Sequence, residues 1–219
     1  MQQLDLTGIK NIVFDLGGVI VTLDRAEAVR RFREAGLKNA EELLDVYHQK
    51  GIFLELEEGK LTKREFYEAL RNEAGRHIPA EVIDRAWLGF LKEVPEYKLE
   101  MLETLRKNYK IYLLSNTNAV IMDWAKSPAF SPQGKGIDRF FDKIYASYQI
   151  GYTKPAPEIF AFMFADANII PSETLFIDDG IANIEMGKKL GMKTYLARNG
   201  EDFRDIFTLP PHHSATIIV

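Results

Sequence analysis

Three segments of the chain place an oxygen-bearing side chain directly after a short apolar run. Asp15 follows Asn11-Ile12-Val13-Phe14, Ser115 follows Ile111-Tyr112-Leu113-Leu114, and the pair Asp178-Asp179 follows Thr174-Leu175-Phe176-Ile177. Lys154 stands just before Pro155, and proline suits the first turn of a helix. A lysine there adds charge to a terminus that already attracts anions. Each residue also has a local explanation. Aspartate after a strand favours a turn, and Ser115, Asn116 or either aspartate can cap a helix. Asn183 suits a structural role as well as a functional one. A cap accounts for one carboxylate, not for two in a row.

The elements that must position these groups follow from periodicity. Apolar runs ending in a polar or glycine-rich turn read as buried strands. Further runs occur at Lys143 to Ala146, Lys193 to Ala197 and Ala215 to Val219. Helical patterns separate them: Met101, Leu102 and Leu105; Pro155 to Ala167 with Ile159, Phe160, Met163 and Phe164; and Ile184 to Leu190, closed by Gly191. Strands alternating with helices predict an α/β fold, a doubly wound, Rossmann-like parallel sheet covered on both faces. Sites in such sheets lie at the carboxyl ends of strands, where Asp15, Ser115 and Asp178 all fall.

One interval breaks the rhythm. From Val21 to Val94 there is little strand signal, and four helices are predicted. Their apolar positions are Val29 and Phe32; Leu43, Leu44 and Tyr47; Phe66 and Leu70; and Ile83, Trp87, Phe90, Leu91 and Val94, which share one helix face. The expected organisation is a core from residues 1–20 and 95–219 with a helical bundle of residues 21–94 inserted.

Composition narrows the partners. The chain has 219 residues, 46% hydrophobic and 27% charged, with a formal net charge of -4. That mild acidity argues against nucleic acid or an anionic membrane as partner. No cysteine is present, which excludes disulfides, thiolate metal sites and cysteine nucleophiles and fits a reducing cytoplasm. Positions 1–20 carry no secretory pattern, and no apolar stretch approaches the roughly 18 residues of a membrane span.

Four segments now stand in order: Phe14-Asp15-Leu16-Gly17-Gly18-Val19, Leu114-Ser115-Asn116-Thr117-Asn118, Lys154-Pro155 and Ile177-Asp178-Asp179-Gly180-Ile181-Ala182-Asn183. Their order and spacing resemble the haloacid dehalogenase-like hydrolase superfamily over nearly the whole chain. The inserted bundle sits where that family places its commonest cap. The likeness is strongest to the branch with Asp-Leu-Gly-Asn-Val or Asp-Leu-Gly-Gly-Val at the first strand, in which sugar-phosphate phosphatases occur. The resemblance implies a Mg²⁺-dependent phosphatase acting on a small phosphorylated metabolite, a sugar phosphate among the candidates. Asp15 would be the nucleophile and form an aspartyl-phosphate. Mg²⁺ would be held by the Asp15 carboxylate, the Gly17 carbonyl and Asp179, with Asp178 acting through a metal-bound water. Ser115, the Asn116 backbone, Gly18 and Lys154 would bind the phosphoryl group, Lys154 also orienting Asp15.

Gly17 departs from the family pattern. Phosphatases of the family usually carry a second aspartate there, as acid and then base, a role worth typically ~10²–10⁴-fold. The insert offers substitutes in a stretch expected to reach toward substrate: His48, which titrates in a suitable range, and then Glu55, Glu57 and Glu58. The alternatives are a haloacid dehalogenase, which needs no metal; a phosphonate-cleaving enzyme, which would need one of Lys50, Lys60 or Lys63; and a phosphate-binding module that lost turnover. The expected state is monomer or homodimer.

Overall fold

The computed structural model describes residues 4–45 and 49–207. Strand β1 (Asn11–Phe14) is wholly buried and forms the middle of a five-stranded sheet. Its parallel neighbours are β4 (Lys110–Ser115) and β6 (Thr174–Asp178), and β5 (Lys143–Ala146) and β7 (Lys193–Leu196) lie outside them. Phe14 is in register with Leu113 on one side and Ile177 on the other. Asp15 and Asp178 are the first residues past this register and Ser115 the second, so the three emerge along one edge.

Alternation along the strands builds two faces. Val13, Tyr112, Leu114 and Phe176 pack against α9 (Pro157–Ala167) and α10 (Ile181–Lys189). Ile12, Phe14, Ile111, Leu113 and Ile177 point the other way, toward α6 (Glu96–Leu105) and α7 (Ala119–Lys126). A short helix, α8 (Ser147–Ile150), follows β5 directly.

Between β1 and α6 lie five helices: α1 (Arg25–Ala35), α2 (Ala40–Leu43), α3 (Ile52–Glu57), α4 (Lys63–Ala74) and α5 (Ala80–Trp87). They close around Phe32, Phe53, Phe66 and Trp87, with Phe53 at 5.1 Å from both Phe32 and Phe66 in edge-on contact. Each such buried aromatic contributes roughly 1.5–3 kcal/mol. Asp24 caps α1, and Thr62 with Glu65 forms a reciprocal capping box on α4.

The insert differs from expectation in two places. The helix predicted through Val94 stops at Trp87, and the chain crosses a short 3₁₀ turn into strand β3 (Leu91–Glu93). Gly89 weakens the helix there, and β3 gains an antiparallel partner in β2 (Thr22–Leu23). This ribbon joins insert and core, and Asn199 brackets it by accepting from the Leu23 N–H and donating to the Leu23 carbonyl at 2.8 and 3.0 Å. The stretch 52–57, not among the four predicted helices, is helix α3. The last predicted strand, Ala215 to Val219, and Tyr47 lie outside the described residues.

Candidate active site

Asp15 leaves the central strand with its carboxylate nearly sealed from solvent. Its Oδ1 accepts from the Leu16 N–H at 2.7 Å and from Lys154 Nζ at 2.9 Å. Lys154 is fully buried and reaches Asp178 Oδ2 at 2.6 Å, so one ammonium bridges two carboxylates. Burial alone would lower the Lys154 ammonium; the charges of Asp15 and Asp178 outweigh it and hold the pKa above its ordinary value. Asp178 is further fixed by the Gly180 N–H at 2.7 Å and by Asn183 Nδ2 at 2.9 Å, so Asn183 ties this loop to α10.

Asp179 follows without an ammonium of its own. Asp15, Asp178 and Asp179 each place an oxygen within 4.8 Å of the others. Burial raises the Asp15 carboxyl, with Lys154 opposing and Asp178 adding. Burial also raises Asp179, and the charges of Asp15 and Asp178 add to it. Three carboxylates sharing one ammonium is a surplus that a hard divalent cation would relieve.

Gly18 has φ +71°, and its N–H donates to the Val21 carbonyl. A β-carbon there would collide with the Asp179 carboxylate, so glycine is needed to admit Asp179. At Gly17 a β-carbon would lie 3.0 Å from Leu23 Cδ1. A side chain at this position would press on an apolar side chain of the ribbon, which would have to give by a few tenths of an ångström. Lys98, also buried, donates to the Val19 carbonyl and pins the same loop.

Ser115 is buried at the end of β4. The Asn116 side chain donates to the Lys154 carbonyl at 2.9 Å and accepts from the Lys154 N–H at 2.7 Å. Sequence reasoning assigned Asn116 a backbone role and gave no hint of this clamp. The Lys154–Pro155 peptide bond is cis.

These groups face a cleft whose walls include Asp15, Ser115, Lys154 and Asp179 from the core and Glu57 and Trp87 from the insert. Trp87 Nε1, Thr117 Oγ1 and Asn118 Nδ2 are the buried side-chain polar atoms without a partner among the described residues, and all three residues line this cleft. Glu57 ends α3, is 7% exposed, and its carboxyl is pushed up to about 8 by burial, with the Asp15 charge adding. Its sequence neighbours differ: Glu55 is exposed and Glu58 pairs with Lys60 at 2.6 Å. His48 lies outside the described residues. Lys60 and Lys63 form ion pairs away from the cleft, Lys63 with Asp84 and Asp123. No helix among the described residues is long and apolar enough to cross a membrane.

A family model for haloacid dehalogenase-like hydrolases matches residues 9–191. The chain is 55% identical over 201 residues to a D-ribitol-5-phosphate phosphatase of Bacteroides thetaiotaomicron, covering 92% of this chain and 98% of that one. Among solved structures, a predicted HAD-like family hydrolase from Porphyromonas gingivalis superposes with a TM-score of 0.85 at 46% identity, over 89% of this chain and 93% of the other. A HAD family enzyme of Bacteroides thetaiotaomicron, an aspartate-to-alanine mutant in complex with magnesium and inorganic phosphate, superposes with a TM-score of 0.88 at 40% identity, over 92% and 100%.

Proposed function

The chain belongs to the haloacid dehalogenase-like hydrolases, and from that premise we propose that it is a magnesium-dependent phosphatase of a small polyhydroxylated phosphate ester, with Asp15 as nucleophile. The observation that carries the reading is the Asp15–Lys154–Asp178 arrangement at the open edge of the sheet, with Asp179 beside it. The carboxylate cluster fits Mg²⁺, held by Asp15, Asp179 and the Gly17 carbonyl, with Asp178 at one remove. Bound there, the ion supplies the positive charge that lets a phosphate dianion approach an anionic nucleophile.

Oδ1 of Asp15 takes both hydrogen bonds, which leaves Oδ2 as the attacking atom. Attack on phosphorus forms an aspartyl-phosphate and divides one hard displacement into two easier ones. Lys154 orients Asp15 and adds positive charge beside the phosphoryl group, and Ser115 with the Asn116 N–H donates to its oxygens. The helical insert, residues 21–94, acts as a cap that closes the cleft and selects the leaving group.

An open-chain sugar alcohol phosphate is favoured by the related D-ribitol-5-phosphate phosphatase, which is similar over almost its whole length. The test is phosphate release from D-ribitol 5-phosphate with and without Mg²⁺, beside Asp15→Asn. Release that needs Mg²⁺ and vanishes in the variant is expected; release persisting in Asp15→Asn would rule out this nucleophile.

A further inference from the structure

Resting on the phosphatase reading, we propose that Glu57 of the insert protonates the leaving oxygen and then activates water, doing from the cap what no side chain at Gly17 can do.

The first ground is what occupies the usual position. Gly17 has no side chain, so neither a carboxylate nor a positioned proton donor acts from there, and Leu23 Cδ1 stands 3.0 Å from where its β-carbon would be. The second is elimination. Among the described residues, the titratable groups that line the cleft are Asp15, Glu57, Lys154 and Asp179. Asp15 is the nucleophile, Lys154 is held between two carboxylates, and Asp179 belongs to the cation cluster. Only Glu57 is uncommitted: it is buried, and its carboxyl forms no hydrogen bond and no ion pair among the described residues.

The third ground is how Glu57 is held. Gly59, two residues on, has φ +68° and lies so close to the core that a β-carbon would collide with the Tyr148 carbonyl. This contact seats the end of α3 on α8 and fixes the depth at which Glu57 enters the cleft. Burial with Asp15 nearby keeps the Glu57 proton on at neutral pH, the state an acid needs.

The steps balance. As Asp15 Oδ2 bonds to phosphorus, the bond from phosphorus to the ester oxygen breaks, and that oxygen takes the Glu57 proton and leaves as alcohol. The Glu57 carboxylate then accepts a proton from water as the water oxygen bonds to phosphorus. The phosphorus–Asp15 bond breaks, inorganic phosphate forms, and Asp15 and protonated Glu57 are restored.

Leaving-group dependence tests the assignment. Wild type, Glu57→Gln and Glu57→Asp are compared with Mg²⁺ on an alkyl ester, D-ribitol 5-phosphate, and an aryl ester, p-nitrophenyl phosphate. The expected loss for Glu57→Gln on the alkyl ester is on the order of 10²–10³-fold in kcat. On the aryl ester, whose phenolate leaves unaided, it should keep a stoichiometric burst of nitrophenolate and then turn over slowly. Glu57→Asp, which retains a shorter acid, should recover part of the alkyl turnover. Equal loss of the first step on both esters, unchanged turnover in Glu57→Gln, or identical losses in the two variants would overturn the assignment and leave the phosphatase reading standing. A wild type that releases phosphate from neither ester overturns both.

Discussion

Asn116 and Lys154 exchange two hydrogen bonds, side chain to backbone in both directions, at 2.9 and 2.7 Å. The clamp ties the end of β4 to the residue whose ammonium orients Asp15. Asn116→Ala is therefore expected to act mainly on catalysis. Misplacing Lys154 by a fraction of an ångström should lower kcat/KM by roughly 10–10²-fold. The lost hydrogen bonds should cost about 1–3 kcal/mol. Steady-state kinetics beside urea denaturation separates the two, and a stability loss with unchanged kcat/KM would refute the positioning role.

Lys154→Met removes the one ammonium shared by Asp15 and Asp178. Breaking a buried pair from one side costs about 3–5 kcal/mol. The deficit should shrink at acid pH, as protonation neutralises the stranded carboxylates, and also on adding Mg²⁺. Thermal melts at pH 5 and pH 8, with and without Mg²⁺, check it; a deficit independent of both would sink the account.

The Glu57 carboxyl stands at about 8 in the folded chain against an ordinary 4.5. Between those values the folded state keeps a proton that the unfolded state has released, so stability falls as pH rises. The contribution is complete below 4.5 and is lost through about 8. Asp15 and Glu58 raise this carboxyl and Lys154 lowers it. Glu57→Gln does not titrate. Without metal, wild type should lose melting temperature relative to Glu57→Gln from pH 5 to pH 9, and parallel curves would contradict this.

Restoring the usual aspartate should fail by itself. In Gly17→Asp the new β-carbon meets Leu23, and overpacking of this kind costs typically about 1–3 kcal/mol. Gly17→Asp is expected to be less stable and no faster than wild type. Gly17→Asp with Leu23→Ala should regain stability and rescue turnover in a Glu57→Gln background. A single Gly17→Asp exchange that rescues that background would show that Leu23 is no obstacle.

The legible part of this molecule was the part built locally. Asp15, Ser115 and Asp178 each end a short apolar run, so strand and site residue are read together. The insert was harder. Glu55, Glu57 and Glu58 look equivalent in sequence, and only the rotation of α3 selects Glu57 for burial. Phe90, Leu91 and Val94 continue the face set by Ile83 and Trp87, yet the chain turns at Gly89 because β3 finds a partner in β2. A strand of two residues, Thr22–Leu23, is too short to show any period. Trp87 reads as core and is core, and it also forms part of the cleft wall.

Leu23 belongs to two structures at once. It is one of the two residues of β2, in the ribbon through which the insert joins the core, and it is the wall beside Gly17. A rotation of the insert about that ribbon must shift this wall relative to the nucleophile. Access of water to Asp15 and the angle between the two halves are then one mechanical variable rather than two. A substitution at Leu23 would alter timing and chemistry together.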